Sequence, residues 1–200
     1  MPLLEHSQFR NSYFVLRHGE SMPNILGVIV SHLEEGKKDE HTLTEYGEEQ
    51  ARHSVQEAKE QGLLDENTII FSSPFSRCRK TAEIAKDRLG VSAKIIFDDR
   101  LCERWFGDWE GTSNANYQKV WDGDVLDPDH KDANVESTTE VVARVASLIY
   151  ALENRYVGKN ILLVSHGDAL QILQTFFENK PSSAHRELRH VQVAEVRKIS

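Results

Sequence analysis

Three short segments of the sequence place arginine and histidine where chemistry on a phosphate group could occur. The first, FVLRHGES, ends an apolar run with Arg17, His18 and a glycine. A neutral imidazole is a competent nucleophile toward phosphorus when a hydrogen bond holds one of its nitrogens. The adjacent guanidinium can bind two phosphate oxygens, and the glycine permits a close backbone approach or a sharp turn. An Arg–His pair alone is more often an ordinary surface pair, so the other segments decide its meaning.

The second and third segments also place cationic residues at the ends of predicted elements. SSPFSRCRKTAEIA puts Arg77 near the start of a helix, where free backbone N–H groups and the guanidinium could bind phosphate together. ILLVSHGDALQIL delivers His166 and Gly167 from an apolar run into another helix. His166 could donate a hydrogen bond to a phosphate oxygen, or it could be an ordinary histidine at a strand end. We expect Asp168 to cap that helix rather than to act in catalysis.

Apolar runs bounded by turn residues alternate with helical patterns, which is typical of an α/β fold. The predicted strands cover residues 13–16, 68–71, 94–97, 160–164 and 191–196. One predicted helix begins after Thr44. Three further predicted helices cover residues 76–89, 138–154 and 168–177. We expect a three-layer structure with a mostly parallel, doubly wound sheet flanked by helices, whose ligands bind outside the carboxyl ends of the strands. The length of 200 residues predicts a single domain over residues 1–200.

The stretch between residues 98 and 137 is long for a connection, and its apolar residues show only weak periodicity. We interpret it as a partly structured cap over the carboxyl ends of the strands. Acidic side chains outnumber basic ones in it, so we expect this surface to repel a second phosphate group. The charged residues compared are Asp108, Glu110, Asp122, Asp124, Asp127 and Asp129 against Arg104, Lys119 and Lys131.

The composition excludes several classes of partner. A formal net charge of -8 argues against general attraction to nucleic acid or to an anionic membrane. Any phosphate site must therefore be a small cationic pocket within an acidic shell. The two cysteines, Cys78 and Cys102, give neither a disulfide framework nor a zinc spacing. With no apolar leader visible in MPLLEHSQFRNS, we expect a cytoplasmic protein that needs no metal or other cofactor.

Taken together, the motifs resemble those of the histidine phosphatase superfamily, of the phosphoglycerate-mutase-like, branch 1 type. The matching segments are FVLRHGES with Asn24, LTEYGEEQA, SSPFSRCRKTA, LCERWFGDWEG, NVEST and VSHGD, and they occur in the order used by that family. The resemblance extends from about residue 13 to residue 195. The joint occurrence of four separate motifs makes it specific.

The resemblance implies a role for each matching residue. His18 would be the nucleophile that becomes phosphohistidine, with Arg17, Arg77 and His166 stabilising the charge on the phosphoryl oxygens. Glu103 would protonate the leaving oxygen and then activate water. The implied substrate-binding positions are Arg17, Asn24, Arg77, His166 and Gly167.

Departures from the family pattern bear on the reaction. The usual Gly-Gly-Glu-Ser is Asn134-Val135-Glu136-Ser137 here, and no adjacent arginines lie between Glu103 and Thr138, where glycolytic mutases carry a pair. We therefore predict a phosphomonoester hydrolase acting on a small phosphorylated metabolite. The alternatives are a cofactor-dependent phosphoglycerate mutase and a pseudoenzyme that binds phosphorylated ligands. A zinc hydrolase is disfavoured because the sequence has no HExxH.

Overall fold

A five-stranded sheet organises the computed structural model, which describes residues 9–200. Its strands are β1 (Ser12–Arg17), β2 (Ile69–Ser72), β3 (Ile96–Phe97), β4 (Asn160–Ser165) and β5 (Val196–Lys198). The spatial order is β3-β2-β4-β1-β5, and only β5 runs antiparallel to its neighbour. Arg17 at the end of β1 is paired with Ser165 at the end of β4. His18 and His166 therefore leave the sheet side by side.

Helices cover both faces of the sheet, which confirms the predicted three-layer α/β class. They are α1 (Met22–Leu26), α2 (Leu33–Gly36), α3 (Glu45–Glu60), α4 (Ser76–Leu89), α5 (Tyr117–Leu126), α6 (Thr138–Arg155) and α7 (Gly167–Phe177). Side chains of β1 alternate between the two faces. Phe14 and Leu16 pack with apolar residues of α3 and α4, whereas Tyr13 and Val15 pack with those of α6 and α7. No helix within residues 9–200 is long and apolar enough to cross a membrane.

The sheet has the predicted last strand, but the predicted bounds of residues 191–196 were wrong. Strand β5 begins only at Val196, and Val191 is buried in the core before the strand. Between them the chain turns: the Glu195 carboxylate accepts a hydrogen bond from the Gln192 N–H at 2.8 Å, and Ala194 has φ 57°. A local bond from a side chain to the backbone competes with strand pairing, and it prevails here. Residues 1–8, which bear on the expected absence of a leader, lie outside the described residues.

The segment of residues 98–137 folds over the carboxyl ends of the strands and contains more regular structure than its sequence predicts. Helix α5 lies within it, together with four short 3-10 turns. The apolar periodicity of α5 is weak because Val120 and Asp124 are its only buried residues. At the position of the family's glycine pair, Asn134 adopts φ 58°, a conformation that asparagine tolerates better than most residues. Its amide donates to both carboxylate oxygens of Asp108, at 2.9 and 3.0 Å.

Buried ionic contacts of Arg104 hold parts of this cap together and join the cap to α7. The Arg104 side chain, which is 0% exposed, donates to both carboxylate oxygens of Asp124 in α5, at 2.6 and 2.7 Å. It also donates to the Glu136 carbonyl at 2.6 Å and to Asp168 of α7 at 3.3 Å. His130 lies 2.8 Å from the Asp124 carboxylate through Nε2. Arginine 104 thus connects three parts of the chain that are distant in sequence.

We expect Asp124→Asn to lower the free energy of unfolding by about 3–5 kcal/mol, because removal of one partner leaves a buried charge uncompensated. Chemical denaturation measures this change. Glu49→Gln is the matched control: Glu49 contacts Arg52 on the surface with a carboxylate that is 71% exposed, so the change should stay within about 1 kcal/mol. Equal effects of the two substitutions would show that the buried pair does not hold the cap.

Candidate active site

His18 is buried directly after β1, with its ring fixed by the backbone. Its Nδ1 lies 2.8 Å from the carbonyl oxygen of Gly19. Since a carbonyl only accepts, the ring proton lies on Nδ1 and the Nε2 atom carries the lone pair. Burial, followed by the charges of Arg77 and Arg17, lowers the pKa of His18 well below its usual range. The imidazole is therefore neutral, with Nε2 available as a nucleophile.

Arg77, in the first turn of α4, connects the two histidines. Its Nε hydrogen points to Nε2 of His18 and to Nδ1 of His166, at 3.2 Å each. A second nitrogen, Nη2, donates to the Val30 carbonyl at 2.9 Å. The remaining nitrogen, Nη1, is buried without a hydrogen-bond partner among the described residues. A buried donor left unsatisfied is costly, so this nitrogen marks the place of a ligand acceptor.

His166, the residue before α7, forms a hydrogen bond on each side of its ring. Nδ1 accepts from Arg77, so the proton of the neutral ring lies on Nε2, which donates to Ser73 Oγ at 2.9 Å. Burial, and then the charges nearby, lower the pKa of His166 well below its usual range. In this state His166 orients Arg77. Donation to a phosphate oxygen requires a further proton on Nδ1, which a bound dianion would favour.

Arg17 lies against the first residue of α7. A Cβ added to Gly167 would lie 3.1 Å from the Arg17 guanidinium carbon, so a glycine there makes room for the guanidinium. Nη1 of Arg17 donates to the Val191 carbonyl at 3.1 Å, whereas Nε is buried without a partner among the described residues. Two arginines thus leave one unsatisfied donor each at the same strand ends, as a site for an anion requires.

Glu103 is buried, at 8% exposure, although charged residues surround it in the sequence. One carboxylate oxygen accepts from the backbone N–H groups of Arg104 and Ala169, at 3.0 and 3.1 Å. Burial, and next the negative charge of Asp168, raise the pKa of Glu103 above its usual range. A carboxyl with a raised pKa keeps its proton to higher pH, which suits a general acid.

These groups surround one small cavity of about 190 Å³ at the strand ends. Arg17, His18, Asn24, Arg77, Glu103 and Gly167 all line it. The Asn24 side-chain oxygen accepts from the backbone N–H and the hydroxyl of Ser21, at 3.1 and 2.8 Å, which leaves its NH₂ group for a ligand. His166 lies behind Arg77, with its ring centroid 5.3 Å from that of His18. The structure therefore brings all of the predicted site residues together.

Sequence reasoning missed aromatic and cationic residues of the cavity wall. Tyr117 and Trp121 of α5 stack at 5.5 Å between ring centroids and face the cavity, and Arg186 and His190 reach it from the segment after α7. The spacing of four between two aromatic residues was a signal for one face of a helix. Arg186 and His190 carried no such signal, because they lie in and after a short 3-10 turn (Ser182–Glu187).

Two further predictions need correction. Gly19 does permit a close backbone approach, but its partner is the first turn of α3: a Cβ there would lie 2.2 Å from the Gly47 carbonyl oxygen. Asp168 does not cap α7, because His166 holds the cap position. The Asp168 carboxylate instead accepts from Trp121 Nε1 at 3.0 Å and from Arg104. It thereby binds the cap to the base of the site.

None of the six acidic cap residues compared in the sequence analysis lines the cavity. Asp124 is neutralised by Arg104, and the Glu110 carboxylate accepts from Ser31 at 2.6 and 2.8 Å. Arg186 adds a positive charge that the sequence did not assign to the site. The cavity is therefore more cationic than the charges of residues 98–137 suggest.

Two other features of the described residues lie apart from this cavity. A groove of about 840 Å³ shares Glu103 with it but is lined by none of the arginines or histidines of the predicted site; His32 and Arg144 line it instead. Glu35, Glu40 and His41 lie close enough to hold a metal ion. Glu35 is already paired with Lys38 at 2.7 Å, and none of the three lines the cavity. The candidate phosphate site therefore contains no cluster of metal ligands among residues 9–200.

The fold and the cavity define an α/β protein with a cationic pocket at the carboxyl ends of its strands. The chain belongs to the histidine phosphatase superfamily (branch 1), whose family model matches residues 13–200. Among curated relatives, the "Probable phosphoglycerate mutase GpmB" of Photorhabdus laumondii is 35% identical over 181 residues, which is 88% of this chain and 79% of the relative. The protein of the same name from Escherichia coli O1:K1 is 34% identical with the same coverage.

Solved structures share the fold at lower identity. A mycobacterial glucosyl-3-phosphoglycerate phosphatase, in a complex with VO3, is similar with a TM-score of 0.75 and 23% identity, over 94% of this chain and 92% of that chain. Bacillus stearothermophilus YhfR is similar with a TM-score of 0.70 and 24% identity, over 93% and 89% of the two chains. At these identities the likeness concerns the fold.

We expect Glu103→Gln to lower kcat/KM for an alkyl phosphate roughly 10²–10⁴-fold, which is the usual contribution of a general acid. The amide retains an oxygen that can accept from Arg104 and Ala169, so the fold should persist. For the unmodified protein, kcat/KM should fall as the pH rises through the raised pKa of Glu103, because the carboxylate cannot donate a proton. This alkaline decline should be absent in the variant.

An aryl phosphate provides the control for this variant, because its leaving oxygen hardly needs a proton. The loss caused by Glu103→Gln should therefore be much smaller for this ester. Steady-state rates for both esters across a pH series measure the difference. Equal losses for the two esters would assign Glu103 a structural role.

Proposed function

We propose that this protein is a phosphomonoester hydrolase that acts on a small phosphorylated metabolite through a phosphohistidine intermediate. One observation carries the proposal: a neutral His18, held at Nδ1 by Gly19, has its Nε2 next to Arg77 in a cavity that also contains Glu103. A nucleophile, cations for the phosphoryl oxygens and a proton donor are thus assembled together. The cavity of about 190 Å³ is smaller than sites for drug-sized ligands, which supports a small substrate.

The first chemical step forms the phosphoenzyme. The Nε2 lone pair of His18 attacks phosphorus, and the bond from phosphorus to the ester oxygen breaks. The leaving oxygen takes the proton of Glu103, so the alcohol departs neutral. Arg17 and Arg77 donate to the phosphoryl oxygens, whose charge is spread over three atoms in the transition state. Their two unsatisfied nitrogens would gain acceptors in this step.

The second step returns the protein to its starting state. Glu103, now a carboxylate, takes a proton from a water molecule while the water oxygen attacks phosphorus. The bond between phosphorus and nitrogen breaks, and the electron pair returns to Nε2 of His18. Inorganic phosphate leaves, and both groups have recovered their original protonation. The opposite shifts in pKa at His18 and Glu103 support this cycle, since both groups begin neutral.

Neither cysteine is a competing nucleophile in this arrangement. Burial raises the pKa of Cys102 to about 11, and burial also raises the pKa of Cys78. The thiolate is the reactive form of cysteine, and it is scarce at such pKa values.

Transfer to water, rather than back to the substrate, is supported by the cap. A mutase must hold a bisphosphorylated intermediate while it reorients, which requires cations in the lid. Residues 98–137 contain two arginines, Arg100 and Arg104. Arg104 is fully buried against Asp124. Arg100 is paired with Asp98 at 2.6 Å. Neither guanidinium lines the cavity.

A phosphoglycerate mutase remains the second candidate, because Arg186 provides a further cation at the cavity and the curated relatives named above carry that name. A pseudoenzyme that binds phosphorylated ligands is disfavoured, since every position of the family pattern that bears chemistry is filled.

We expect the protein to release inorganic phosphate from phosphomonoesters after dialysis against a chelator, because arginines supply the positive charge. A panel of phosphosugars, phosphoglycerates and nucleotides would identify the substrate. His18→Ala should abolish release while leaving the circular dichroism spectrum unchanged. Loss of activity that zinc or magnesium restores would contradict the proposal.

The same assay separates the two candidates. With 3-phosphoglycerate and catalytic 2,3-bisphosphoglycerate, both 2-phosphoglycerate and free phosphate are followed in time. Release of phosphate should dominate. Isomerisation faster than hydrolysis by orders of magnitude would establish the mutase and exclude the hydrolase.

A further inference from the structure

Three guanidinium groups line the small cavity, and within residues 9–200 none of them forms an ion pair with a carboxylate. They are Arg17, Arg77 and Arg186. In a chain of net charge -8, unpaired cations gathered at one cavity are unexpected unless a ligand neutralises them. The proposed function uses the first two for the phosphoryl group. Arg186 is left without a role.

The surroundings of Arg186 hold its guanidinium in a fixed position. Its central carbon lies 3.7 Å from the centroid of the Trp121 ring, and Nη1 donates to Nε2 of His190 at 2.9 Å. Trp121 is fixed in turn, because its Nε1 donates to Asp168 at 3.0 Å. Burial lowers the pKa of Arg186, but a guanidinium keeps its charge in proteins. Binding an anion there would require little additional ordering.

The carboxylates near Arg186 are engaged elsewhere. Asp168, which also lines the cavity, accepts from Trp121 and from Arg104. Asp124 accepts two hydrogen bonds from Arg104. The positive charge of Arg186 is therefore not matched by an ion pair within the described residues, and an anion that enters the cavity could pair with it.

We propose that Arg186, held by Trp121 and His190, binds a second anionic group of the substrate, a carboxylate or a second phosphate. This group lies beside the phosphoryl group that Arg17 and Arg77 bind. The proposal rests on the proposed function, because it assigns the remaining part of the same substrate. A cavity of about 190 Å³ is small, so both anionic groups must belong to one compact molecule.

A matched set of esters tests this subsite. Glycerol 3-phosphate and 3-phosphoglycerate differ by a CH₂OH group in place of a carboxylate, and glycerol 1,3-bisphosphate offers a second phosphate. For at least one of the two esters that carry a second anionic group, the unmodified protein should have a kcat/KM roughly 10–100-fold higher than for glycerol 3-phosphate. A charge-assisted hydrogen bond has about this effect. Which ester is preferred distinguishes the carboxylate from the phosphate.

In Arg186→Met, the ratio of kcat/KM for the preferred ester to kcat/KM for glycerol 3-phosphate should fall to about one. The main cause should be a higher KM for the preferred ester. The loss of kcat/KM for glycerol 3-phosphate should be much smaller than the loss for the preferred ester. Arg186→Lys should keep part of the preference, because lysine retains the charge but not the fork of donors. Arg189→Met is the matched control: Arg189 lies in the same segment with a side chain that is 77% exposed and paired with Glu195. It should retain the full preference.

Several outcomes would overturn the proposal. Equal losses for all three esters in Arg186→Met would show that Arg186 only packs α5 against the segment after α7. Absence of any preference in the unmodified protein would show that no second anion is bound. If no ester is hydrolysed, the proposed function fails, and calorimetric binding of 3-phosphoglycerate and glycerol 3-phosphate decides the subsite separately. Equal affinities of these two ligands would then refute it.

Discussion

The shared hydrogen of Arg77 Nε is the interaction on which the site depends. It points to one nitrogen of each buried histidine, at 3.2 Å, so the carboxyl ends of β1 and β4 and the start of α4 must meet at the same place. Because the guanidinium has no carboxylate partner among the described residues, its charge acts on both rings and disfavours their protonation. The parallel pairing of Arg17 with Ser165 provides the required alignment of the strand ends.

Burial has opposite effects on the pKa of the proposed nucleophile and of the proposed general acid. It lowers the pKa of His18 and raises that of Glu103, so the same poorly solvated environment favours a neutral imidazole and a neutral carboxyl group. The remaining charge of the cavity comes from arginines, within a chain whose net charge is -8. The cap contributes to this arrangement through Arg104, which fixes α5 above the strand ends. The charge of Arg104 itself is neutralised by Asp124.

Local sequence predicted the parts of this protein that depend on local rules. The apolar run that forms β1 and the start of α3 after Thr44 follow from short-range chemistry, and the sheet and its flanking helices were predicted accordingly. The burial of Glu103 was not evident from its charged neighbours in sequence, because burial depends on the distant helix α7. Arg186 was missed for the same reason, since only the folded chain places it over Trp121. Counting charges in the cap likewise could not show that Asp124 is paired with Arg104.

The most direct measurement concerns the atom that receives the phosphoryl group. Rapid mixing with a phosphomonoester, an alkaline quench that preserves phosphohistidine, and tandem mass spectrometry with phosphorus NMR would locate it. The geometry predicts phosphate on Nε2 of His18, because Nδ1 is bonded to the Gly19 carbonyl. The adduct should be labile in acid and absent from His18→Ala. Phosphate on Nδ1, on His166, on Cys78 or on a serine would contradict the account.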